Sequence, residues 1–365
     1  MSNHGESTLR IRTGCVTPQP PRELIARLPN RRRSLTRQQI VDGILRGDRV
    51  LLAQAITLIE STRAADRERA ELILEDCLPY SGNSIRVGIT GVPGAGKSSV
   101  IERLGAYLTS ECSQKVAVLA IDPSSQLSGG SILGDKTRMQ SLASSEMSFI
   151  RPSPSRGSLG GVAQRTREAM LLCEAAGYNN ILVETVGVGQ SETAVHEMVD
   201  FFLLITLAGA GDELQGMKRG VMELADLVAV NKADGANLTA AERARSEAEN
   251  ALHYFPGPAN GWTPRALTCS AQTGKGIAEL WKCVQEYTGL TKANGWFSVN
   301  RQEQARRWMR EIIEQGLRQR FETHPAIRKR MEALERDVLE GRTTSFHAAR
   351  TLLEMYSDQK PAGTH

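Results

Sequence analysis

The stretch Gly91-Val92-Pro93-Gly94-Ala95-Gly96-Lys97-Ser98 decides how the rest of the chain is read. It fits G-x-x-x-x-G-K-[ST], the phosphate-binding loop. Glycines let the backbone curl so that successive N–H groups face a polyphosphate. Lys97 would reach the β- and γ-phosphates and the Ser98 hydroxyl would hold Mg²⁺, which makes Gly91 through Ser99 the candidate phosphate contacts. The flanks agree with this reading. Residues 85–90 form an apolar strand pattern, and 98–108 a helical pattern whose N-terminus faces the anion. Average residue frequencies produce the motif by chance about once in a hundred chains of this length. A glycine-rich turn without a ligand is the competing reading, and the flanking strand and helix count against it.

The 365 residues allow one large domain with appendages or two domains. No run of about 18 apolar residues exists, so no membrane span is expected, and no secretory signal is seen. The net charge of +4 is unevenly placed: residues 1–34 carry about +5 from seven arginines against Glu6 and Glu23, leaving the remainder near −1. A global basic surface for nucleic acid is therefore not indicated. Prolines at 18, 20, 21 and 29 and the run Arg31-Arg32-Arg33 make residues 1–34 read as a disordered leader, with an arginine-rich transit peptide as the alternative. The six cysteines (15, 77, 112, 173, 269, 283) never approach C-x-x-C spacing, and the histidines are scattered. This pattern suits reduced, mostly buried thiols of an intracellular protein, with no zinc or nickel cluster.

Residues 35–80 show helical periodicity. Ile40, Val41, Ile44 and Leu45 form one stripe, Leu51, Leu52, Ala55, Ile56 and Ile59 a second, and Leu72, Ile73 and Cys77 a third. From 81 to 290, seven apolar runs alternate with helical stretches: 85–90, 116–121, 148–151, 181–185, 201–207, 227–230 and 265–268. Apolar runs of that kind suit a sheet covered on both faces, giving a doubly wound, mostly parallel α/β domain. Residues 291–365 turn helical again. Trp308, Ile312, Leu317 and Phe321 form one stripe, Pro325 breaks it, and Ile327, Met331, Leu334 and Val338 form another. That spacing suits helix-on-helix packing, either within the chain or as a homodimerisation arm.

Asn231-Lys232-Ala233-Asp234 follows the apolar run 227–230 and fits N-K-x-D. The Asp234 carboxylate can accept from N1–H and N2–H of guanine together. Adenine lacks both donors and would leave a buried carboxylate unpaired, at a cost of about 1–3 kcal/mol. Asn231 and Lys232 would brace the base and the phosphate loop. Cys269-Ser270-Ala271-Gln272 follows the last strand, and its backbone N–H groups would meet guanine O6. The expected ligand is therefore GTP or GDP with Mg²⁺.

Between these motifs lies Glu184-Thr-Val-Gly187-Val188-Gly-Gln190-Ser-Glu192. An apolar strand ending in an acid is the place for a carboxylate near Mg²⁺. Glu184 is longer than the usual aspartate and suits contact through a coordinated water. Its plainer reading is a strand-end carboxylate paired with Lys97. The Gly187 N–H would approach the γ-phosphate. Val188 cannot orient an attacking water as the glutamine of Ras and Gα does, so slow intrinsic hydrolysis is expected unless Gln190 or a partner supplies the group. Asp122, capping 116–121, and Asp135, in the glycine-rich stretch 129–138, add two acids at the phosphate end. The stretch around Asp135 reads as a loop that orders on γ-phosphate and Mg²⁺, or as a solvated turn. The loop 208–220, with Asp212, Gln215 and Lys218, reads as a surface loop or as a further nucleotide-sensing switch.

The stretches Ile121-Asp-Pro-Ser-Ser, 129–139 and 184–192 resemble those of the MeaB/ArgK/MMAA family, G-protein chaperones of adenosylcobalamin-dependent methylmalonyl-CoA mutase. The resemblance runs from about residue 36 to the C-terminus. It implies a P-loop GTPase of the signal-recognition-particle-like class, with an N-terminal helical extension and a C-terminal dimerisation arm. It also implies metal ligation near Ser98, Asp122, Asp135 and Glu184, and catalytic work by Lys97, Asp122, Glu184 and Gly187. Asp212, Gln215 and Lys218 would communicate with the mutase, and the adenosylcobalamin would be bound by that partner. The implied compartment is the cytoplasm, or the mitochondrial matrix of a eukaryote. A kinase of an amino-acid (lysine/arginine/ornithine) transport system and a metallochaperone GTPase are the alternatives.

Overall fold

The seven apolar runs become the strands of one sheet: β1 (Ile85–Gly91), β2 (Val116–Asp122), β3 (Ser148–Pro154), β4 (Asn180–Thr185), β5 (Phe201–Leu207), β6 (Leu227–Asn231) and β7 (Arg265–Thr268). Their order is β3-β2-β4-β1-β5-β6-β7, and each neighbouring pair runs parallel. The computed structural model describes residues 35–122, 139–154, 159–185, 191–209, 219–255, 257 and 259–358.

Helices α1 (Arg37–Leu45), α2 (Arg49–Glu60) and α3 (Ala64–Cys77) precede the sheet. Connections between strands carry α4 (Lys97–Ser110), α5 (Gln140–Ser144), α6 (Leu159–Ala175), α7 (Ser191–His196), α8 (Arg219–Glu223) and α9 (Leu238–Leu252). After β7 come α10 (Ile277–Ala293), α11 (Trp296–Thr323), α12 (Pro325–Leu339) and α13 (Ser345–Asp358). Helix α4 packs on α10 and against β1, β2 and β4, whereas α6 packs on β2, β3, α7 and α11. Every residue of β4 is buried, which is why that strand reads as continuous apolar sequence rather than as an alternation. The fold is thus a doubly wound parallel α/β sheet with helical extensions at both ends. Among the described residues no helix is long and apolar enough to cross a membrane.

The flanking stripes pack as their periodicity predicts, except at Leu72 and at Ile312 and Leu317 of α11, which are exposed. Ile40, Ile44, Leu52, Ile56 and Ile73 are buried, but Leu72 lies on the open side of α3. At the other end, Ile327 and Leu334 of α12 bury themselves against Ala348 and Leu352 of α13. That stripe finds its partner within the chain. Cys77, Cys173, Cys269 and Cys283 are buried free thiols and Cys112 is half-buried; Cys15 lies outside the described residues.

Beneath the root of β1 sits a buried ionic clamp. Arg86 donates two hydrogen bonds of 2.9 Å to Glu174 of α6. Arg301 of α11 donates to both oxygens of Asp200 at 2.8 and 2.7 Å, and to the carbonyls of Gly82 and Ser84 at 2.6 and 2.7 Å. The remaining Glu174 capacity accepts from the Gly82 N–H and the Ser84 hydroxyl at 2.8 and 2.6 Å. Burial pushes the Glu174 carboxyl up, but Arg86, Ser84 and Arg301 together hold it below its ordinary value. Desolvation is thus outweighed by paired charge, the condition that lets an ion pair persist in a core.

Candidate nucleotide site

Strand β1 delivers the chain into the phosphate loop. Gly91 lies opposite Ile205 at φ +151°, and a Cβ there would sit 2.0 Å from the Ile205 carbonyl oxygen. Gly96 takes φ +84° as N-cap of α4, and a Cβ there would sit 2.6 Å from Asn231 Nδ2. The loop's path therefore requires glycine at both places. Val92 and Ala95 anchor it in the core, while Pro93 and Gly94 face outward. Ser99 is exposed at the mouth of the neighbouring cavity.

Lys97 is buried, and its Nζ donates to the carbonyls of Gly91 and Val92 at 2.8 and 3.3 Å. Burial lowers its pKa, and Glu184 and Glu192 oppose that shift. Glu192 is itself buried in the first turn of α7, close enough to act on the lysine. The sequence motif contained Glu192, but nothing in its spacing gave it this place.

Ser98 Oγ donates to Glu184 Oε1 at 2.7 Å. Glu184 pairs in register with Ile89 of β1 and Ala120 of β2, and Asp122 closes β2 at the same edge of the sheet. A hydroxyl touching a carboxylate at this edge is an all-oxygen donor set that fits a hard cation such as Mg²⁺. Ser98 and Glu184 would hold it, and the ion would neutralise charge between the β- and γ-phosphates. Among the described residues no three His, Cys, Asp or Glu side chains converge on one point. Asp135, Gly187, Val188, Gln190, Asp212, Gln215 and Lys218 lie outside the described residues.

Asn231, buried at the end of β6, ties three segments together. Its Nδ2 donates to the Ala95 carbonyl at 2.8 Å, and its Oδ1 accepts the Ala271 N–H at 3.1 Å. Lys232 adopts φ +61°, and its carbonyl accepts from Asn237 Nδ2 at 2.8 Å, which turns the chain toward Asp234. Asp234 accepts a short hydrogen bond from the Ser270 hydroxyl. The Ser270 N–H is given to the Lys275 carbonyl at 2.9 Å. The Ser270 and Ala271 N–H groups, two of those expected to face guanine O6, are thus held by protein acceptors here.

A cavity of about 520 Å³ opens beside these groups, lined by Gly96, Ser99, Asn231, Lys232, Asp234, Ala271 and Gln272, with Glu102, Arg103 and Ser141 completing its wall. The volume suits a small ligand. Sequence reasoning missed the last three residues. Glu102 accepts from the Ser141 N–H and Oγ at 3.0 and 2.6 Å. Arg103 donates to the carbonyls of Ala271 and Gln272 at 3.0 and 2.7 Å.

A phosphate loop at the end of a central parallel strand, joined through one asparagine to an N-K-x-D turn, defines the class: a P-loop GTPase. The family model described as Methylmalonyl Co-A mutase-associated GTPase MeaB matches residues 52–326. The chain belongs to that family. It is 50% identical to a putative GTPase of Caulobacter vibrioides over 86% of this chain and 95% of the relative. It is 44% identical to the mouse mitochondrial methylmalonic aciduria type A homolog over 88% of this chain and 81% of the relative. A crystal structure titled LAO/AO transport system kinase aligns with a TM-score of 0.71 and 38% identity, covering 88% of this chain and 98% of that one.

Proposed function

We propose that this GTPase is a chaperone of an adenosylcobalamin-dependent acyl-CoA mutase, with methylmalonyl-CoA mutase as its partner, and that it gates cofactor loading and protects or reactivates the enzyme. The observation that carries this reading is the match of residues 52–326 to a mutase-associated GTPase family. Adenosylcobalamin belongs to the partner, and this chain handles GTP and GDP. Lys97 and the loop N–H groups from Gly91 to Ser99 hold the phosphates; Ser98, Asp122, Asp135 and Glu184 are the magnesium ligands. Asp234, Asn231, Lys232 and residues 270–272 read the base. Gly187 senses the γ-phosphate, and Asp212, Gln215 and Lys218 pass its state to the mutase. With Val188 after Gly187, hydrolysis is slow until the partner completes the site.

Met309, Ile312, Ile313 and Leu317 form an exposed apolar stripe on α11. A second copy of the chain covers it, so that the α11–α13 arm makes a homodimer, working in the cytoplasm or in a mitochondrial matrix. Stopped-flow GTP turnover with and without purified mutase, apo and cofactor-loaded, tests the function. Turnover that responds to either form supports it, and turnover indifferent to both refutes it. One second reading has an observation behind it, the kinase title of the 38%-identical structure. γ-Labelled nucleotide separates the two: label on a protein acceptor supports a kinase, and label in free phosphate supports the GTPase.

A further inference from the structure

Residues 102 and 103, on the second turn of α4, hold two different walls of the base cavity. Glu102 holds Ser141, whereas Arg103 holds the carbonyls of Ala271 and Gln272, through Nε at 3.0 Å and Nη2 at 2.7 Å. A planar guanidinium that engages two successive carbonyls fixes both the position and the twist of the peptide between them. The same segment is gripped from its amide side by Asn231 Oδ1, which accepts the Ala271 N–H at 3.1 Å. Two further bonds close the turn: Ser270 Oγ accepts the Thr273 N–H at 3.1 Å, and the Ser270 carbonyl accepts the Gly274 N–H at 2.8 Å. Helix α4 begins at Lys97, so Arg103 ties the base-side segment to the element that carries the phosphate lysine.

We propose that Arg103 is a positioning residue for base selection, setting the Ala271–Gln272 segment at the height where the Gln272 N–H, with the Ala271 N–H already given to Asn231, meets a 6-oxo purine and rejects a 6-amino purine. A 6-oxo group accepts from such N–H donors, whereas a 6-amino group sets donor against donor. Hydrogen bonds weaken steeply with misplacement, so a segment free to slip loses that discrimination. The 2-amino group is read elsewhere, by Asp234, which is held by Ser270 rather than by Arg103. This inference rests on the guanine reading of the cavity proposed above.

Displacement of a fluorescent nucleotide from the full-length protein by GDP, XDP and ADP tests it in four variants. Arg103→Ala is expected to lower the GDP-over-ADP preference about fivefold, the worth of roughly one hydrogen bond, with the GDP-over-XDP preference retained. Arg103→Lys, which keeps one donor, is expected to fall between Arg103→Ala and the parent. Arg243→Ala, at an exposed arginine of α9 paired with Glu247, is expected to leave both ratios in place. Asp234→Asn is expected to lower the GDP-over-XDP preference, which checks the cavity reading itself. An equal loss of GDP and ADP affinity in Arg103→Ala, with Asp234→Asn behaving as stated, overturns the role of Arg103 and leaves the cavity assignment standing. An unchanged GDP-over-XDP ratio in Asp234→Asn removes the cavity assignment and the inference with it. If Arg103→Ala does not fold, Arg103→Lys carries the test alone: a GDP-over-ADP preference below the parent's supports the role, and an unchanged one overturns it.

Discussion

At one edge of the sheet the buried Lys97 is satisfied by two loop carbonyls, and at the opposite edge the buried Arg86 is satisfied by a carboxylate. Both cations sit in the core of one domain, at the two ends of the same strand. The difference lies in what surrounds them. Arg86 and Glu174 neutralise each other in a two-bond fork, and Arg301 and Asp200 close the remaining valences. Lys97 has neutral partners, and burial draws its pKa down despite Glu184 and Glu192. A buried cation held by carbonyls has donor capacity that an anion takes over at little reorganisation. A cation locked in a fork has its charge already matched. The contrast separates the binding edge from the structural edge without reference to any ligand.

The largest effect is expected where the contrast is broken on the structural side. Glu174→Ala leaves Arg86 buried and unpaired, and is expected to cost about 3–5 kcal/mol in denaturant unfolding, with GDP affinity of the folded fraction retained. On the binding side, Lys97→Ala is expected to weaken GTP binding about 100-fold by calorimetry, the worth of two charge-assisted bonds. Its thermal midpoint is expected to hold or rise, because a lysine with a lowered pKa is a cation the fold carries at a cost. Unchanged affinity would remove the phosphate-loop assignment.

The smallest effect concerns Asp226, also at the structural edge. Burial pushes its carboxyl up from 3.8 to about 7, while the Phe202 N–H, donated at 2.8 Å, holds it back. The folded state keeps a proton that the unfolded chain releases, so stability from this group is present below pH ~4 and lost as pH rises toward ~7. Asp226→Asn keeps an acceptor for Phe202 and removes the titration. Its advantage over the parent is expected to be nil near pH 4 and to grow as pH rises through 7. A parallel pH profile for the two proteins would show that Asp226 does not titrate in this window.

What was legible in the chain follows from the range of the signal. Apolar runs are local, and all seven became strands; the glycine spelling at 91–96 and N-K-x-D at 231–234 are local too, and Asn231 brings them into contact. Charge pairing is not local. Nothing near Arg86 announces Glu174, 88 positions away, and nothing near Arg103 announces the carbonyl of Ala271, 168 positions away. The stripe 327–338 was legible as a stripe, but whether it faced this chain or another depended on α13, whose own apolar residues answer it.

Arg301 has a temporal consequence. Its guanidinium grips the carbonyl of Gly82 across 219 positions of sequence, under the strand that ends in the phosphate loop. During synthesis the loop is spelled out by residue 98, yet the residue that pins the base of its strand leaves the ribosome about two hundred residues later. A nascent chain therefore holds the nucleotide motif long before it holds the support for it. The support beneath that strand is complete only once α11 has begun, so the C-terminal helices finish what the nucleotide edge stands on.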